Sequence, residues 1–207
     1  MPGPIHIHVE EPSMEAFLIA FLRHHLDPTI EWRAINYGSK QQLLARLPAR
    51  LAGYARTATE YRPRSLILVD RDEDDCLVLK GKLVAASAAA GLKTRPCDQE
   101  RIDVVNRIVC EELEAWFFGD IVALEEGWRG MRRITGQASY RDPDAIRGGT
   151  HEALLRELQR AGHLKGLSRL PKIDTARAMG NLLEPVRNTS RSFRHFWDGL
   201  NTLAANA

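Results

Sequence analysis

The stretch "RSLILVDRDEDDC", residues 64–76, joins an apolar run directly to a group of carboxylates. Residues 66–69 are all apolar, and five of the six residues at 70–75 are acidic. A continuous apolar run is typical of a parallel strand that is buried on both faces. Carboxylates this close repel each other by about 1 kcal/mol per pair at 4 Å even in bulk water. The stretch therefore predicts a core strand whose end carries charges that another group must offset.

The chain on either side of this strand alternates between strand and helix patterns. "PIHIHVE" and "TIEWRAINYG" read as strands before it, and "RIDVVNRIVC" reads as a strand after it. Helical spacing fills the intervals, with one helix kinked or ended near Pro48 and another closed by Gly91. "EELEAWFFGD" begins a further helix. Strands that alternate with helices predict an α/β fold, a Rossmann-like, mostly parallel sheet with helices on both faces.

The pattern and the charge both change after Glu126. Residues 127–149 are rich in loop signals, and the remainder reads as three short helices. Residues 1–127 carry 15 basic and 20 acidic residues, a net charge of −5, whereas residues 128–207 carry 14 and 7, a net charge of +7. We predict an α/β domain over 1–126 and a basic helical C-terminal extension over 127–207, packed on the same domain. The asymmetry suits a protein that acts on a polyanion, although solvated arginine faces would produce it too.

Several classes of protein are disfavoured by composition. Cys76, Cys97 and Cys110 are odd in number and unrelated in spacing, which fits neither a disulfide framework nor a zinc site. No apolar run approaches the roughly 18 residues of a membrane span, and the N-terminus lacks a signal-peptide pattern. These features predict a soluble cytoplasmic protein with no membrane partner.

Acidic residues follow three of the predicted strands. In open parallel sheets, binding sites lie outside the carboxyl ends of the strands. The acidic residues at these ends are Glu10, Glu11, Asp70, Asp72, Glu111, Glu112 and Glu114. Hard oxygen ligands suit Mg²⁺ or Mn²⁺, and one or two such ions would remove the repulsion. The strand ends therefore predict a divalent metal site.

The acidic residues of the quoted stretch divide between two roles. Residues two apart on a strand point to the same side, so Asp70 and Asp72 can share an ion while Arg71 faces away. Asp74 and Asp75 are expected to begin the next helix, where negative charge is favourable.

The arrangement resembles the Toprim domain of topoisomerases, primases and overcoming-lysogenization-defect nucleases. The resemblance rests on a glutamate that closes the first strand, in "HVEEPSMEAFL", and an Asp-x-Asp after a later strand, in "LILVDRD". Together with "ELEAWFFGD" and "NTSRSFRHFWDGL", these segments resemble the Toprim-like family catalogued as domain of unknown function 4276, over most of the chain. The resemblance implies a Toprim-like fold, metal-dependent phosphodiester chemistry, and a role in phage defence beside an ATPase of the ABC or SMC type.

The resemblance also assigns roles to individual residues. It implies metal ligands and catalytic groups at Glu10, Asp70, Asp72 and Glu112, with a further ligand at Glu114. Lys172, in "RLPKID", matches a late lysine that faces transition-state charge. The sequence departs from the family pattern at two positions, since Glu11 replaces the usual glycine and Met14 replaces an acidic residue, with Glu15 beside it.

Structural explanations remain open for several of these residues. Glu10 could be an ordinary charge ahead of a helix, and Asp70 with Asp72 could belong to a solvated loop. Glu112 and Glu114 could be first-turn helix charges. We expect the residues of "WFF" at 116–118 and the aromatic residues of "SFRHFW" to be core, and the histidines of "HIH" to be structural.

The function predicted from these features is hydrolysis of nucleic-acid phosphodiesters, DNA more than RNA. The residues expected to contact backbone phosphate are Arg129, Arg132, Arg133, Arg191 and Arg194. No tyrosine lies in a motif that would support a topoisomerase reaction, and the chain has no Walker A pattern, so an ATP-driven step needs another chain. Two alternatives stay open: a partner-activated or non-catalytic module that binds metal or nucleotide, and a phosphotransfer enzyme. A homodimer is also compatible with the sequence.

Overall fold

The structure is a computed structural model that describes residues 3–94 and 101–205. Its strands are β1 (Ile5–Val9), β2 (Trp32–Asn36), β3 (Arg64–Asp70) and β4 (Val104–Val109). Its helices are α1 (Pro12–His25), α2 (Lys40–Ala55), α3 (Cys76–Ala89), α4 (Glu114–Phe118), α5 (Ile121–Gly127), α6 (Thr150–Arg160), α7 (Lys172–Leu182) and α8 (Arg191–Ala205). Among the described residues, no helix is long and apolar enough to cross a membrane. Cys97 lies outside the described residues.

The four strands form one parallel sheet in the order β2-β1-β3-β4. β3 is central and fully buried, as the apolar run in its sequence predicts. All strands point the same way, so their carboxyl ends meet at one edge of the sheet. The predicted α/β class and mostly parallel sheet are confirmed.

Helices cover both faces of the sheet and create two hydrophobic cores. α2 and α3 pack on one face, where Leu43 and Leu83 meet Ile67 of β3. The other face is covered by α1 and by helices from the C-terminal part of the chain, and its core includes Trp116 and Phe196. Residues on both sides of position 127 contribute to this larger core.

Two sequence expectations about helix boundaries have different outcomes. Of the two outcomes expected at Pro48, a kink or an end of the helix, the end is wrong, since α2 continues through it to Ala55. Leu43, Leu47 and Leu51 of this helix form one buried stripe, so packing outweighs the cost of the interior proline. Helix α3 does end where expected, with Gly91 in the left-handed region at φ +68° just after it.

The face of β1 opposite its apolar residues carries two structural histidines. His6 Nδ1 lies 2.7 Å from the Tyr54 hydroxyl, and His8 Nδ1 lies 3.0 Å from the Tyr37 hydroxyl. Burial lowers the pKa of His6 to about 4 and the pKa of His8 to about 3. Both rings are therefore neutral near pH 7, which confirms the structural interpretation of these histidines.

Helix α7, which carries Lys172 in its first turn, lies against α1 at a very short distance. A Cβ at Gly180 would lie 2.6 Å from the Phe17 carbonyl oxygen and 2.8 Å from the Ala20 Cβ. We expect Gly180→Ala to lower the free energy of unfolding by about 1–3 kcal/mol, because the two helices would have to separate. Gly81→Ala is the matched control, since nothing lies within 4 Å of its Cβ position in α3, and it should stabilise the protein by up to about 1 kcal/mol. Urea denaturation measures both, and equal effects would contradict the close approach.

Candidate metal centre

Carboxylates converge at the edge of the sheet where the parallel strands end. We call the following group the carboxylate cluster: Glu10, Glu11, Asp70, Glu112 and Glu114. These residues follow β1, end β3, follow β4 and begin α4. The Asp70 backbone contacts Glu10, and Lys172 lies 3.7 Å from both Glu11 and Glu112, so the ends of β1, β3 and β4 meet at one edge as the topology rule predicts.

Glu10 and Asp70 meet because β1 and β3 are neighbouring parallel strands. The Asp70 backbone N–H donates to Glu10 Oε1 at 2.6 Å. Burial raises the pKa of Glu10 to about 7 despite this hydrogen bond. Burial also raises the pKa of Asp70 well above its usual range, and the charge of Glu10 raises it further. The two carboxyls cannot both ionise without cost unless a cation joins them.

Glu114 is the most completely buried member of the cluster. Its side chain is 1% exposed, and neither of its carboxylate oxygens has a hydrogen-bond partner among the described residues. Burial raises the pKa of Glu114 to about 7, although the charge of Lys172 opposes this shift. A buried carboxylate without a donor costs several kcal/mol when it ionises. Its unpaired oxygens are therefore available as hard ligands for a cation.

Lys172 provides the nearest positive charge to this group. Its Nζ lies 3.7 Å from Glu11 Oε1 and 3.7 Å from Glu112 Oε1. Burial acts to lower the pKa of Lys172, but the neighbouring carboxylates, Glu114 foremost, raise it above the ordinary value. The lysine is thus held in its charged form beside the cluster, where the sequence resemblance placed it.

Asp72 lies beside the cluster but pairs with a different lysine. Its backbone turns into the left-handed region at φ 48°, and its carboxylate lies 2.6 Å from Lys40 Nζ. Lys40 also contacts Asp74 at 2.8 Å. Arg71 contacts Glu111 instead. The strand alternation that would let Asp70 and Asp72 share an ion does not apply, because β3 ends at Asp70 and the chain turns before Asp72.

The helix-cap prediction for the same loop holds for one of its two residues. Asp75 accepts hydrogen bonds from the backbone N–H groups of Leu77 and Val78, so it caps α3. Asp74 instead pairs with Lys40 before the helix begins.

Glu112 is fixed by the start of α6, which the sequence did not indicate. It accepts hydrogen bonds from the Thr150 hydroxyl at 3.0 Å and the His151 backbone N–H at 3.2 Å, and His151 Nδ1 lies 2.8 Å away. Burial acts to raise the pKa of Glu112, yet these donors and Lys172 lower it overall. Glu112 therefore ionises more easily than Glu10, Asp70 and Glu114, whose pKa values are raised by burial.

Among the described residues, one trio has three ligand atoms within 4.8 Å of one another, namely Glu112, His151 and Glu152. His151 Nε2 contacts Glu152 at 3.0 Å while Nδ1 contacts Glu112, so the ring bridges two carboxylates. An imidazole with a carboxylate at each nitrogen can donate a hydrogen bond to each of them, so this arrangement does not require a metal ion. Sequence reasoning missed His151, and its Thr-His-Glu context carries no metal-ligand spacing.

The two departures from the family pattern have structural consequences. Glu11 accepts a hydrogen bond from the Ser13 hydroxyl and lies near Lys172. Met14 is 3% exposed and packs in the core, so that position contributes no charge. Its neighbour Glu15 accepts a hydrogen bond from Asn36 at 2.9 Å.

The five predicted phosphate-binding arginines lie on the C-terminal part of the chain, with varied partners. Arg133 contacts the buried Glu157 at 2.5 Å, and Arg194 donates to the Thr189 carbonyl. Arg191 pairs with Asp142 at 3.0 Å and lines a groove beside the cluster. The remaining two, Arg129 and Arg132, are exposed.

The late motif "NTSRSF" joins α8 to α4 and is structural. Asn188 Nδ2 donates to the Trp116 carbonyl at 2.8 Å, and Trp116 Nε1 donates to the Ser192 hydroxyl at 2.9 Å. Asp144 accepts from the Ser192 backbone N–H at 2.9 Å. The expectation that the aromatic residues of these motifs are core is confirmed, since Trp116 and Phe196 stack with ring centroids 4.8 Å apart.

Comparisons with known proteins identify a family without assigning an activity. The family described as a domain of unknown function (DUF4276) matches residues 9–201. No curated protein and no solved structure matches the chain. Because the match covers nearly the whole chain and includes every member of the carboxylate cluster, the chain belongs to the DUF4276 family.

Proposed function

We propose that this protein is a Mg²⁺- or Mn²⁺-dependent nuclease that hydrolyses nucleic-acid phosphodiesters at the carboxylate cluster. The observation that carries the proposal is Glu114, a buried carboxylate whose two oxygens accept no hydrogen bond from any other described residue, its own backbone N–H being the one weak donor near it. Asp70 and Glu10 beside it have raised pKa values for the same reason, which is burial. A divalent cation is the partner that would make three such acids stable in their ionised forms.

The residues present fit such an ion by the type of their ligand atoms, but the oxygens of Glu10, Asp70 and Glu114 do not form a trio within 4.8 Å of one another in the described structure, so these side chains would have to move together to bind it. Glu10, Asp70 and Glu114 would hold it, whereas Asp72 is paired with Lys40 and Glu112 with Thr150, His151 and Lys172, so these two would have to leave their present partners to hold a second ion. When bound, the ion supplies positive charge at a phosphate and lowers the pKa of a water molecule. Lys172 adds a fixed positive charge that can face the charge developing on a phosphate. Without a cation, burial raises the pKa of Glu10 to about 7 and raises the pKa of Asp70 as well, so the bound ion would also keep these two carboxyls ionised.

The wider role in the proposal rests on the resemblance to Toprim nucleases. It includes phage defence, a cytoplasmic location and an ATPase of the ABC or SMC type as the partner. In this proposal DNA is preferred over RNA as the substrate. A homodimer is compatible with the proposal.

A second candidate is a metal-binding interaction module that is inactive or activated by its partner. The observation that favours it is Met14, because a core methionine stands where nuclease relatives carry an acidic residue. The module would keep the same buried cluster but use metal binding to dock on the ATPase.

A cleavage assay separates these functions. Supercoiled plasmid, single-stranded DNA and RNA would be incubated with Mg²⁺ or Mn²⁺ or with EDTA, with and without the ATPase encoded nearby. We expect cleavage that needs the metal and is lost in Asp70→Asn purified in parallel. Cleavage that persists in Asp70→Asn would identify a contaminant or another site, and inactivity under every condition would favour the module.

A further inference from the structure

A groove runs along the open edge of the sheet, next to the carboxylate cluster. β4 is the edge strand of the sheet, and the groove lies along it between α3 on one face and α8 on the other. Its volume is about 450 Å³, the size of a small-ligand site. Cys110 lines it two residues before Glu112, and Arg71 lines it one residue after Asp70, so the chain leads from the groove to the cluster at both points.

The groove is lined by an excess of positive charge. The basic residues that line it are Arg71, Lys80, Arg107 and Arg191, with His195 beside them. Asp144 is its acidic lining residue, and its carboxylate already accepts from the Ser190 and Ser192 hydroxyls and the Ser192 backbone N–H. Arg107 donates to the backbone carbonyls of Asn106 and His195, and the charge of Asp198 acts on it. Arg71 is paired with Glu111 and Arg191 with Asp142, whereas Lys80 has no ion pair among the described residues. Lys80 is therefore the lining charge that most directly attracts an anion, and the two paired arginines could exchange their carboxylates for a phosphate.

One buried group in the lining lacks a partner. Asn106 is 8% exposed, and its side-chain Oδ1 has no hydrogen-bond partner among the described residues. A buried carbonyl without a donor costs about 1–3 kcal/mol, which a hydroxyl or amino group of a ligand could recover. The groove thus combines basic side chains, which can bind phosphate, with Asn106 Oδ1, which can accept a hydrogen bond from a neutral group of the ligand.

We propose that this groove binds one nucleotide unit of a single nucleic-acid strand and directs that strand to the carboxylate cluster. Phosphate oxygens would contact Lys80, Arg71 and Arg191, and a sugar hydroxyl or base amino group would donate to Asn106. The size of the groove suits one nucleotide, whereas a duplex would have to separate first. Arg71 connects the two sites, because it follows Asp70 in the chain and contacts Glu111. The part of the inference that directs the strand to the carboxylate cluster rests on the proposed function. Binding of the strand in the groove does not depend on it.

Binding can be measured without cleavage. Fluorescence anisotropy of a labelled single-stranded oligonucleotide in EDTA, at 150 mM salt, would compare Lys80→Glu with Lys82→Glu. Both lysines are exposed on α3, but Lys82 does not line the groove. We expect Lys80→Glu to weaken binding about tenfold and to lower the salt slope by about 1. Lys82→Glu should change affinity by less than about twofold, since screening at this salt acts over about 8 Å.

A second variant tests the unpaired acceptor. Asn106→Leu removes Oδ1, and because that atom has no partner in the described structure, the fold should keep its stability. We expect about threefold to tenfold weaker binding of the oligonucleotide, as for a lost hydrogen bond. Equal affinities for wild type, Lys80→Glu and Asn106→Leu would overturn the inference and favour a partner strand at this sheet edge. Failure of the proposed function would look different, because wild type would then bind the strand through the groove without cleaving it.

Discussion

Glu114→Gln is expected to stabilise the metal-free protein while removing its metal-dependent cleavage. Burial raises the pKa of Glu114 from 4.5 to about 7. A carboxyl with a raised pKa stabilises the fold below its ordinary pKa, and this stabilisation is lost as pH rises through about 7. At pH 8 the ionised side chain therefore costs about 3 kcal/mol, which a neutral glutamine avoids. Urea denaturation in EDTA should show Glu114→Gln more stable by about 2–3 kcal/mol at pH 8 and by much less at pH 5.

The activity of the same variant should change in the opposite direction. Glutamine offers a neutral oxygen where a divalent ion needs a charged one, so we expect at least a hundredfold lower cleavage rate with Mn²⁺. Mn²⁺ should also raise the melting temperature of wild type more than that of Glu114→Gln, because only ligands that bind the folded state stabilise it. A variant that gains stability and loses function shows that the carboxylate is kept for its chemistry.

Glu112→Gln is the matched control. We expect it to change the free energy of unfolding in the opposite direction. The pKa of Glu112 is lowered overall by its contacts with His151, Lys172 and Thr150, although burial acts to raise it. Stability from a lowered carboxyl pKa is present above the ordinary value and lost on acidification. Glu112→Gln should therefore destabilise the protein at pH 8. If both variants shifted stability in the same direction, the contrast between the paired and unpaired carboxylates would be wrong.

Much of the fold could be predicted because local patterns and packing agree. Residues 64–76 predicted a buried central strand, and β3 is central and buried throughout. A helix end at Pro48, one of the two outcomes expected there, is wrong, because a local rule competed with the buried leucine stripe of α2. Proline removes one backbone donor, while the leucines bury apolar area on either side of it. Sequence alone does not show which of these effects is larger.

The candidate site was predictable to the extent that it depends on topology. Glu10, Asp70 and Glu114 could be placed together because parallel strands end at one edge. Lys40 and His151 could not, since they come from α2 and α6 and meet the site only through tertiary packing. Neither residue lies in a local pattern that distinguishes it from an ordinary surface residue. The resemblance supplied Lys172, and the structure gives it a position between Glu11 and Glu112.

Lys172→Met is expected to destabilise the metal-free protein and to lower its cleavage rate. The substitution removes the positive charge 3.7 Å from both Glu11 and Glu112, and Glu114 loses the charge that opposes its raised pKa. Removing one partner of a buried ion pair costs about 3–5 kcal/mol, and the 29% exposure of the Lys172 side chain reduces this to about 2 kcal/mol. Lys165→Met, at an exposed position, should change stability by less than about 0.5 kcal/mol.

The double variant Lys172→Met/Glu114→Gln identifies the source of that loss. If Lys172 stabilises the fold by compensating the buried charge of Glu114, Lys172→Met should cost less than half as much stability in the Glu114→Gln background as in wild type. The coupling free energy between the two positions, measured by urea denaturation at pH 8 in EDTA, should be about 1 kcal/mol or more. Additive effects would instead mean that Lys172 acts through Glu11 and Glu112 alone. Cleavage should stay low in the double variant, because the restored stability comes from removing a charge that the proposed metal needs.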